Sequence, residues 1–426
     1  MVSIINPKQV VSSTINKEKR LFPYYAGYSN EFAESVLDSL DLPQGSLILD
    51  PWNGSGTTCV VSYKKGYKGV GIDLNPVMVL VSKASFVSKL DVKSLCPLAN
   101  GVLKNNLSRS SVSCENDELC KWFTQDTVCY LRGIEIRINK LFVNESNYCD
   151  LTDPFNLDQV TPLAAFFYVI LFRVTRRLVV DFIGTNPTWI KSPKLDSARK
   201  SVSKNDINKL FLEEVKILSN HETLLCTPDP SPISLVLGDS RSLDIESETV
   251  DAIITSPPYC TRIDYAVSTS LELAVLRMSS EQYDKLRRSL IGTSTVSKVV
   301  NEPLECWGKT CLDFLEDVRN HPSRASGTYY FKNHVQYFDS LFTSLSELKR
   351  VCKVGAKLVI VVQNSHYKNI YNDLALIVQE MFGSLNIGMQ ERYDFNSKRS
   401  MSTLNSRSRK YIEHRKNIES VLVFKK

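Results

Sequence analysis

Two short segments hold residues whose types and spacing could do chemistry, Asp50-Pro51-Trp52-Asn53-Gly54-Ser55-Gly56-Thr57-Thr58 and Thr255-Ser256-Pro257-Pro258-Tyr259. In the first, an acid closes an apolar run and two glycines lead into residues that can start a helix. Gly54 and Gly56 let the backbone turn tightly and approach a ligand with no Cβ in the way. Thr57 and Thr58 can cap that helix, whose first amides then point at the ligand. Asp73, at the end of the next apolar run, is placed to accept hydrogen bonds from ribose hydroxyls. Dinucleotide loops show three glycines as G-x-G-x-x-G, with a pyrophosphate on the helix. The two glycines of G-S-G suit a nucleotide-like ligand without a phosphate, and an acid beside the loop suits an ammonium group. S-adenosylmethionine is such a ligand; a plain strand-to-helix turn is the competing reading.

The second segment is a buried apolar strand running into a stiff polar-aromatic loop. Proline fixes φ and removes a donor, so the Ser256-Pro257-Pro258 backbone is rigid and its carbonyls stay free to accept. Such acceptors suit an exocyclic amine, which is conjugated to its ring and a poor nucleophile. It needs its hydrogens held and a methyl group in line, mainly a matter of positioning and electrostatics. Ser256 and the Pro257 carbonyl are the candidate acceptors. Tyr259 would stack on a base that has left its duplex. An ordinary proline turn is the alternative.

The first segment resembles the D-P-F-x-G-S-G-T-T cofactor motif of the amino-group DNA methyltransferases, and T-S-P-P-Y is similar to their catalytic motif. The resemblance covers 22–80, 233–275 and 335–426. It implies S-adenosylmethionine as methyl donor, held by Asp50, Trp52, Asn53, Gly54, Ser55, Gly56, Thr57, Asp73 and Asn75. Asp239 and Ser240, in the run Leu237–Arg241, match the family's G-D-S/A segment and its contact with the cofactor adenine. The stretch Phe22–Ser29, with Tyr28 and Ser29, falls where the family often keeps another cofactor-contacting segment. Ser256, Pro257, Pro258 and Tyr259 are implied as catalytic. In that family Ser-Pro-Pro-Tyr accompanies cytosine-N4 more often than adenine-N6 chemistry, so cytosine N4 leads, with adenine N6 or an RNA base as alternatives. No cysteine stands in the Pro-Cys setting of carbon-5 enzymes. The implied substrate is double-stranded DNA. A restriction-modification or defence setting follows, with a cognate restriction endonuclease or defence protein as a further partner.

Positioning these segments calls for a particular set of elements. Residues 46–50, a helix at 57–65 and a strand at 69–73 form a β-loop-α-β unit, the opening of a doubly wound sheet. Strands are expected again at 233–237, 250–254, 357–363 and 419–424, with helices at 335–352 and near 369–381. Gly355 is expected in the turn before the strand 357–363. The fold class is therefore α/β, a Rossmann-like class I methyltransferase sheet with a large, mostly polar and helical insert that includes an apolar stretch at 162–172 with a basic tail, Arg173-Val174-Thr175-Arg176-Arg177. The organisation reads as core at 1–92, insert at 93–230, core with the catalytic motif at 231–278, an irregular segment at 279–330 and core at 331–426. The cofactor motif precedes the catalytic one, the reverse of the commonest order for Ser-Pro-Pro-Tyr enzymes. Target recognition could then sit in 93–230, in 279–330, or in both.

Candidate nucleic-acid contacts are Arg173, Arg176, Arg177, Asn186, Trp189, Lys191 and Lys194 in the insert and Arg262 after the catalytic loop. Basic residues beside an aromatic and an amide suit phosphate and base contact; a solvated helix face is the alternative. A second basic run, from Lys398 to Lys416, lies between two late strands. The net charge of +6 permits a nucleic-acid partner without requiring one. No stretch reaches the roughly 18 apolar residues of a membrane span, and the first residues lack a secretory core. A cytoplasmic protein is expected. The 11 cysteines are scattered without a C-x-x-C pair and the 5 histidines lack ligand spacing, so no metal site is expected.

Overall fold

A computed structural model of the chain describes residues 4–8, 21–23, 27–104, 116–184, 189–220, 232–260, 264–396 and 417–426. Tyr24, Tyr25, Ala26, Asn186, Arg262 and the basic run from Lys398 to Lys416 lie outside the described residues. The strands are β1 (Leu47–Asp50), β2 (Lys68–Asp73), β3 (Ile233–Leu237), β4 (Val250–Thr255), β5 (Cys352–Gln363), β6 (Ser365–Tyr367), β7 (Ile370–Asn372), β8 (Gly388–Asn396) and β9 (Ile418–Lys425). Seven of them make one sheet in the order β3-β2-β1-β4-β5-β9-β8. Strands β1 to β5 pair in parallel, whereas β9 is antiparallel to both β5 and β8. Parallel strands covered on both faces read as continuous apolar runs, which is why LILD and VDAIIT were recognisable. The fold is the expected α/β sheet.

The strand order reverses between β1 and β4, since β2 and β3 extend one way and β5 the other. In open α/β sheets the crevice beyond the carboxyl ends of the strands at that point is the ligand site. Ile48 pairs with Ala252 and Leu49 with Ile253. Two segments about two hundred residues apart in sequence are thus delivered side by side.

Helices flank the sheet. α1 (Asn30–Leu40) buries Phe32, Ala33, Val36, Leu37 and Leu40 along one stripe, and Ser29 caps it by accepting from the Phe32 N–H. α2 (Thr57–Lys64) follows the glycine loop, and α3 (Pro76–Ala84) is buried along its whole length. The insert folds as α4 (Lys89–Leu103), α5 (Gln125–Phe142), α6 (Pro154–Asp158), α7 (Pro162–Leu178) and α8 (Lys204–Ser219). Its apolar stretch at 162–172 folds into α7, which is buried from Ala164 through Phe172. A helix apolar on all sides must be enclosed, and α7 shares one apolar core with α3. The boundary drawn at 92/93 falls inside α4.

Beyond β4 come α9 (Tyr265–Ser268), α10 (Ser270–Val275), α11 (Ser280–Ser289), α12 (Lys309–Asn320), α13 (Phe331–Val351) and α14 (Leu374–Ser384). The segment 279–330 is therefore not irregular throughout; α11 opens on a capping box between Ser279 and Gln282. Gly355 does not lie in a turn ahead of the strand. It sits within β5 at φ +87°, where register against β4 jumps from Val250–Cys352 to Ala252–Lys357. Such a slip needs extra residues on one strand, and glycine takes the positive φ cheaply. No helix among the described residues is long and apolar enough to cross a membrane.

Candidate active site

The loops after β1 and β4 wall a single cavity with about 990 Å³ of empty space, its solvent-open side included. Asp50, Trp52, Asn53, Gly54, Ser55, Thr57, Asp73, Asn75 and Ser240 all reach its wall, as do Ser256, Pro257, Pro258 and Tyr259. Gly56 and Asp239 do not. The carboxylate of Asp239 is engaged by the Arg241 guanidinium at 2.6 Å, and it is the neighbouring Gly238 and Ser240 that face inward. Tyr265, Thr269, Leu290 and Ile291 also line the cavity. They belong to no sequence motif and arrive there through the elements after β4.

Asp50 is the junction of the two loops. It is buried, and each of its oxygens accepts twice. Oδ1 receives the Thr255 hydroxyl at 2.6 Å and the Trp52 N–H at 3.2 Å. Oδ2 receives the Thr58 hydroxyl at 2.6 Å and the Tyr28 phenol at 3.1 Å. Burial pushes the Asp50 pKa up, and hydrogen bonds from Thr255, Thr58, Trp52 and Tyr28 pull it back. The carboxylate suggested by sequence as a partner for a ligand ammonium is instead closed by four protein donors. Thr58 correspondingly does not cap α2: the N-cap is Gly56, at φ +88°, with no side-chain cap. Tyr28 and Ser29 likewise have internal parts, one on Asp50 and the other at the start of α1.

Asp73 faces the cavity from the end of β2. Its Oδ2 accepts from the Gly54 N–H at 3.0 Å and its Oδ1 from the Asn75 N–H at 2.9 Å. Burial pushes its pKa up to about 6 against the pull of those two amides. Each oxygen keeps a second acceptor direction, enough for the two hydroxyls of a ribose. The glycines are sterically fixed here. A Cβ on Gly56 would stand 2.1 Å from the Ser82 hydroxyl, and one on Gly71 would stand 2.5 Å from the Asn53 side chain. Asn53 donates to Ser82 at 2.9 Å, while its Oδ1 and the Trp52 Nε1 are buried with no partner among the described residues. Two orphaned polar atoms beside a desolvated carboxylate and a turn lacking Cβ atoms fit a polar nucleoside ligand. Asn75 caps α3 through the Val77 N–H and donates to Thr269 at 2.8 Å.

On the opposite wall, Tyr337 donates to the Pro258 carbonyl at 2.8 Å and stiffens the proline loop. The Tyr259 phenol donates to Glu419 Oε1 at 2.7 Å. The Ser256 hydroxyl lies 3.5 Å from the Tyr259 oxygen, the outer limit of a hydrogen bond. Burial and the Glu419 carboxylate hold the Tyr259 pKa well above its ordinary value. Glu419 is a site residue that sequence reasoning missed, since it reads only as the polar start of an apolar strand.

The insert arginines are engaged by acids. Arg173 pairs with Glu214 at 2.5 Å, Arg176 chelates Glu272 and donates to the Ser268 carbonyl at 2.6 Å, and Arg177 reaches Glu214 at 2.9 Å. These contacts tie α7 to α8 and α10, so their charges are largely met inside the protein. Sequence inspection reads a basic tail because the answering acids lie 36 to 96 residues away. Trp189 and Lys191 stand exposed after Gly184. No cluster of side chains fit to hold a metal ion occurs among the described residues.

A family model described as DNA methylase, N6_N4_Mtase, matches residues 6–84, which include β1, the glycine loop and β2. The chain is 23% identical over 414 residues to the Type II methyltransferase M.BsoBI of Geobacillus stearothermophilus, covering 84% of this chain and 77% of that protein. It is 21% identical over 423 residues to the Type II methyltransferase M.AvaI of Nostoc sp. (strain PCC 7120), covering 90% and 82%. A similar likeness, 21% over 406 residues with 89% and 84% covered, links it to the Type II methyltransferase M.MvaI of Kocuria varians.

Proposed function

The chain belongs to the amino-group DNA methyltransferase family, and from that premise we propose that it methylates cytosine N4 at a specific site in double-stranded DNA, with S-adenosylmethionine as donor. One observation carries the reading: the glycine loop and the Ser-Pro-Pro-Tyr loop wall the same cavity at the switch point of the sheet. S-adenosylmethionine, when bound, supplies an electrophilic methyl group on a sulfonium. Asp73 would hold the ribose hydroxyls, the turn Asn53–Thr57 would embrace the amino-acid end, and Ser240 would lie at the adenine. Ser256 and the Pro257 carbonyl accept from the hydrogens of the target amine and point its lone pair across the cavity. Tyr259 stacks on the everted base. Catalysis of this kind rests on orientation and on dipoles already in place.

The likeness to Type II methyltransferases supports a place in a restriction-modification system. Leu290 and Ile291 line the cavity while none of the described residues of 93–230 does, which favours the segment 279–330 as the one next to the everted base. Expression in a host without DNA methylation, followed by genome-wide mapping of modified bases, tests the reading. N4-methylcytosine at one recurring sequence is expected. N6-methyladenine there would change the base, and methyl incorporation into tRNA but not genomic DNA would overturn the assignment to DNA.

Cofactor binding should follow the titration of Asp73. Ribose hydroxyls donate to its ionised form, so protonation below about 6 competes with binding. Affinity is present above that value and lost as pH falls through it, by about tenfold between pH 7 and pH 5. Asp73→Ala should weaken the cofactor about 10- to 100-fold, as for an unmet buried polar contact, and flatten the profile. Calorimetric titration across this range decides it, and a flat wild-type profile would remove Asp73 from the ribose.

A further inference from the structure

We infer that Glu419 and Lys8 are positioning residues for the methyl transfer proposed above, holding the Tyr259 ring in one orientation and tying it to the cofactor-side rim of the cavity. β9 runs antiparallel to β5, so its first residues lie at the carboxyl edge of the parallel strands, with Glu419 opposite Gln363. That is the edge where β1 and β4 deliver their loops. Glu419 is only 1% exposed. Its Oε1 takes the Tyr259 phenol at 2.7 Å and lies 3.4 Å from Lys8 Nζ. Its Oε2 is buried with no partner among the described residues.

Keeping a carboxylate in that state is costly. The strand that carries it continues as Val421, Leu422, Val423 and Phe424, all buried in apolar cores, so an apolar residue at 419 would serve packing at least as well. What the carboxylate adds is direction. An aromatic ring used only for stacking needs no hydroxyl, yet the Tyr259 hydroxyl is pinned, with the Ser256 hydroxyl 3.5 Å away. Rotation of the ring would disturb the stacking face and the serine together. Lys8 extends the link, because its ammonium also donates to the Gly27 carbonyl, and Gly27 and Tyr259 both line the cavity. Gly27, Lys8, Glu419 and Tyr259 thus close a chain around one side of it, drawn from both ends and the middle of the sequence.

The test is single-turnover transfer of labelled methyl from S-adenosylmethionine to genomic DNA from a host without methylation, with cofactor affinity and thermal denaturation measured alongside. Glu419→Leu and Tyr259→Phe are each expected to slow transfer about 10- to 100-fold, with the cofactor Kd within about threefold of wild type. Glu419→Gln, whose amide oxygen still accepts the phenol, should recover most of the rate. The double variant Tyr259→Phe/Glu419→Leu should be no slower than the slower single, since the two groups act as a unit. Losses that multiply in the double variant, or a wild-type rate in Glu419→Leu, would overturn the inference. If Glu419→Leu does not fold, Tyr259→Phe and the exposed Lys8→Met decide: slower transfer at unchanged cofactor affinity supports the inference, and wild-type rates in both overturn it. A wild-type protein that methylates no DNA sinks the underlying reading, whereas an active one indifferent to these changes sinks this inference alone.

Discussion

Asp50→Ala should lower the unfolding free energy by about 3–5 kcal/mol, the cost of breaking a buried hydrogen-bond network and leaving several of its donors unmet. The substitution deletes the acceptor for four donors at once, on Thr255, Trp52, Thr58 and Tyr28. Each buried donor left unmet costs about 1–3 kcal/mol, and some recover partners: the Tyr28 phenol and the Thr58 hydroxyl each lie within reach of the Ile254 carbonyl. Among the described residues, Thr255 and the Trp52 N–H have no such second acceptor. The damage would not stay local, because Thr255 begins the catalytic loop, Trp52 the cofactor loop and Thr58 the helix behind it. Asp50→Asn should cost less, about 1–2 kcal/mol, since its amide oxygen still accepts on one side and the hydroxyls can turn to accept on the other. Chemical denaturation read by intrinsic fluorescence measures both. An Asp50→Ala variant unfolding at the wild-type midpoint would show that the junction carries no stability.

That junction also shows where sequence inspection succeeds and where it stops. β1, β2 and β4 were legible because strands covered on both faces are short apolar runs, and the glycine loop because its needs are local. The place of Asp50 was legible too, but not its role, since two of its four donors, Tyr28 and Thr255, lie far outside its own motif in the sequence. β8 was missed for the opposite reason. Its sequence GMQERYDFN is largely exposed at the edge of the sheet, and edge strands are blunted with charge, which hides them among loops. β6 and β7 are three residues each, below what periodicity can register. The insert misled in both directions. Its central helix α7 looked like an apolar stretch with a basic tail, yet the tail is answered by Glu213, Glu214 and Glu272. Charges read singly along a chain suggest an external partner; only tertiary structure shows which have an internal one.

Replacing Tyr259 by alanine should leave the cofactor bound and remove the chemistry. Stacking of a base on an aromatic ring is worth about 1–3 kcal/mol, and the lost phenol leaves a buried Glu419 without its 2.7 Å donor. The two effects together come to about 3–4 kcal/mol in the transition state, or roughly 100- to 1,000-fold in rate at about 1.36 kcal/mol per tenfold. The contacts assigned to the cofactor lie on the loops after β1, β2 and β3 and include none with this ring, so its affinity should change by less than about threefold. Single-turnover methyl transfer and equilibrium cofactor binding on the same preparation separate the two. Equal loss of both would mean that Tyr259 supports the whole cavity rather than the base. Full transfer by Tyr259→Ala would mean that the everted base is held elsewhere, and the wall built from Ser256 to Tyr259 would lose its claim to the reacting amine.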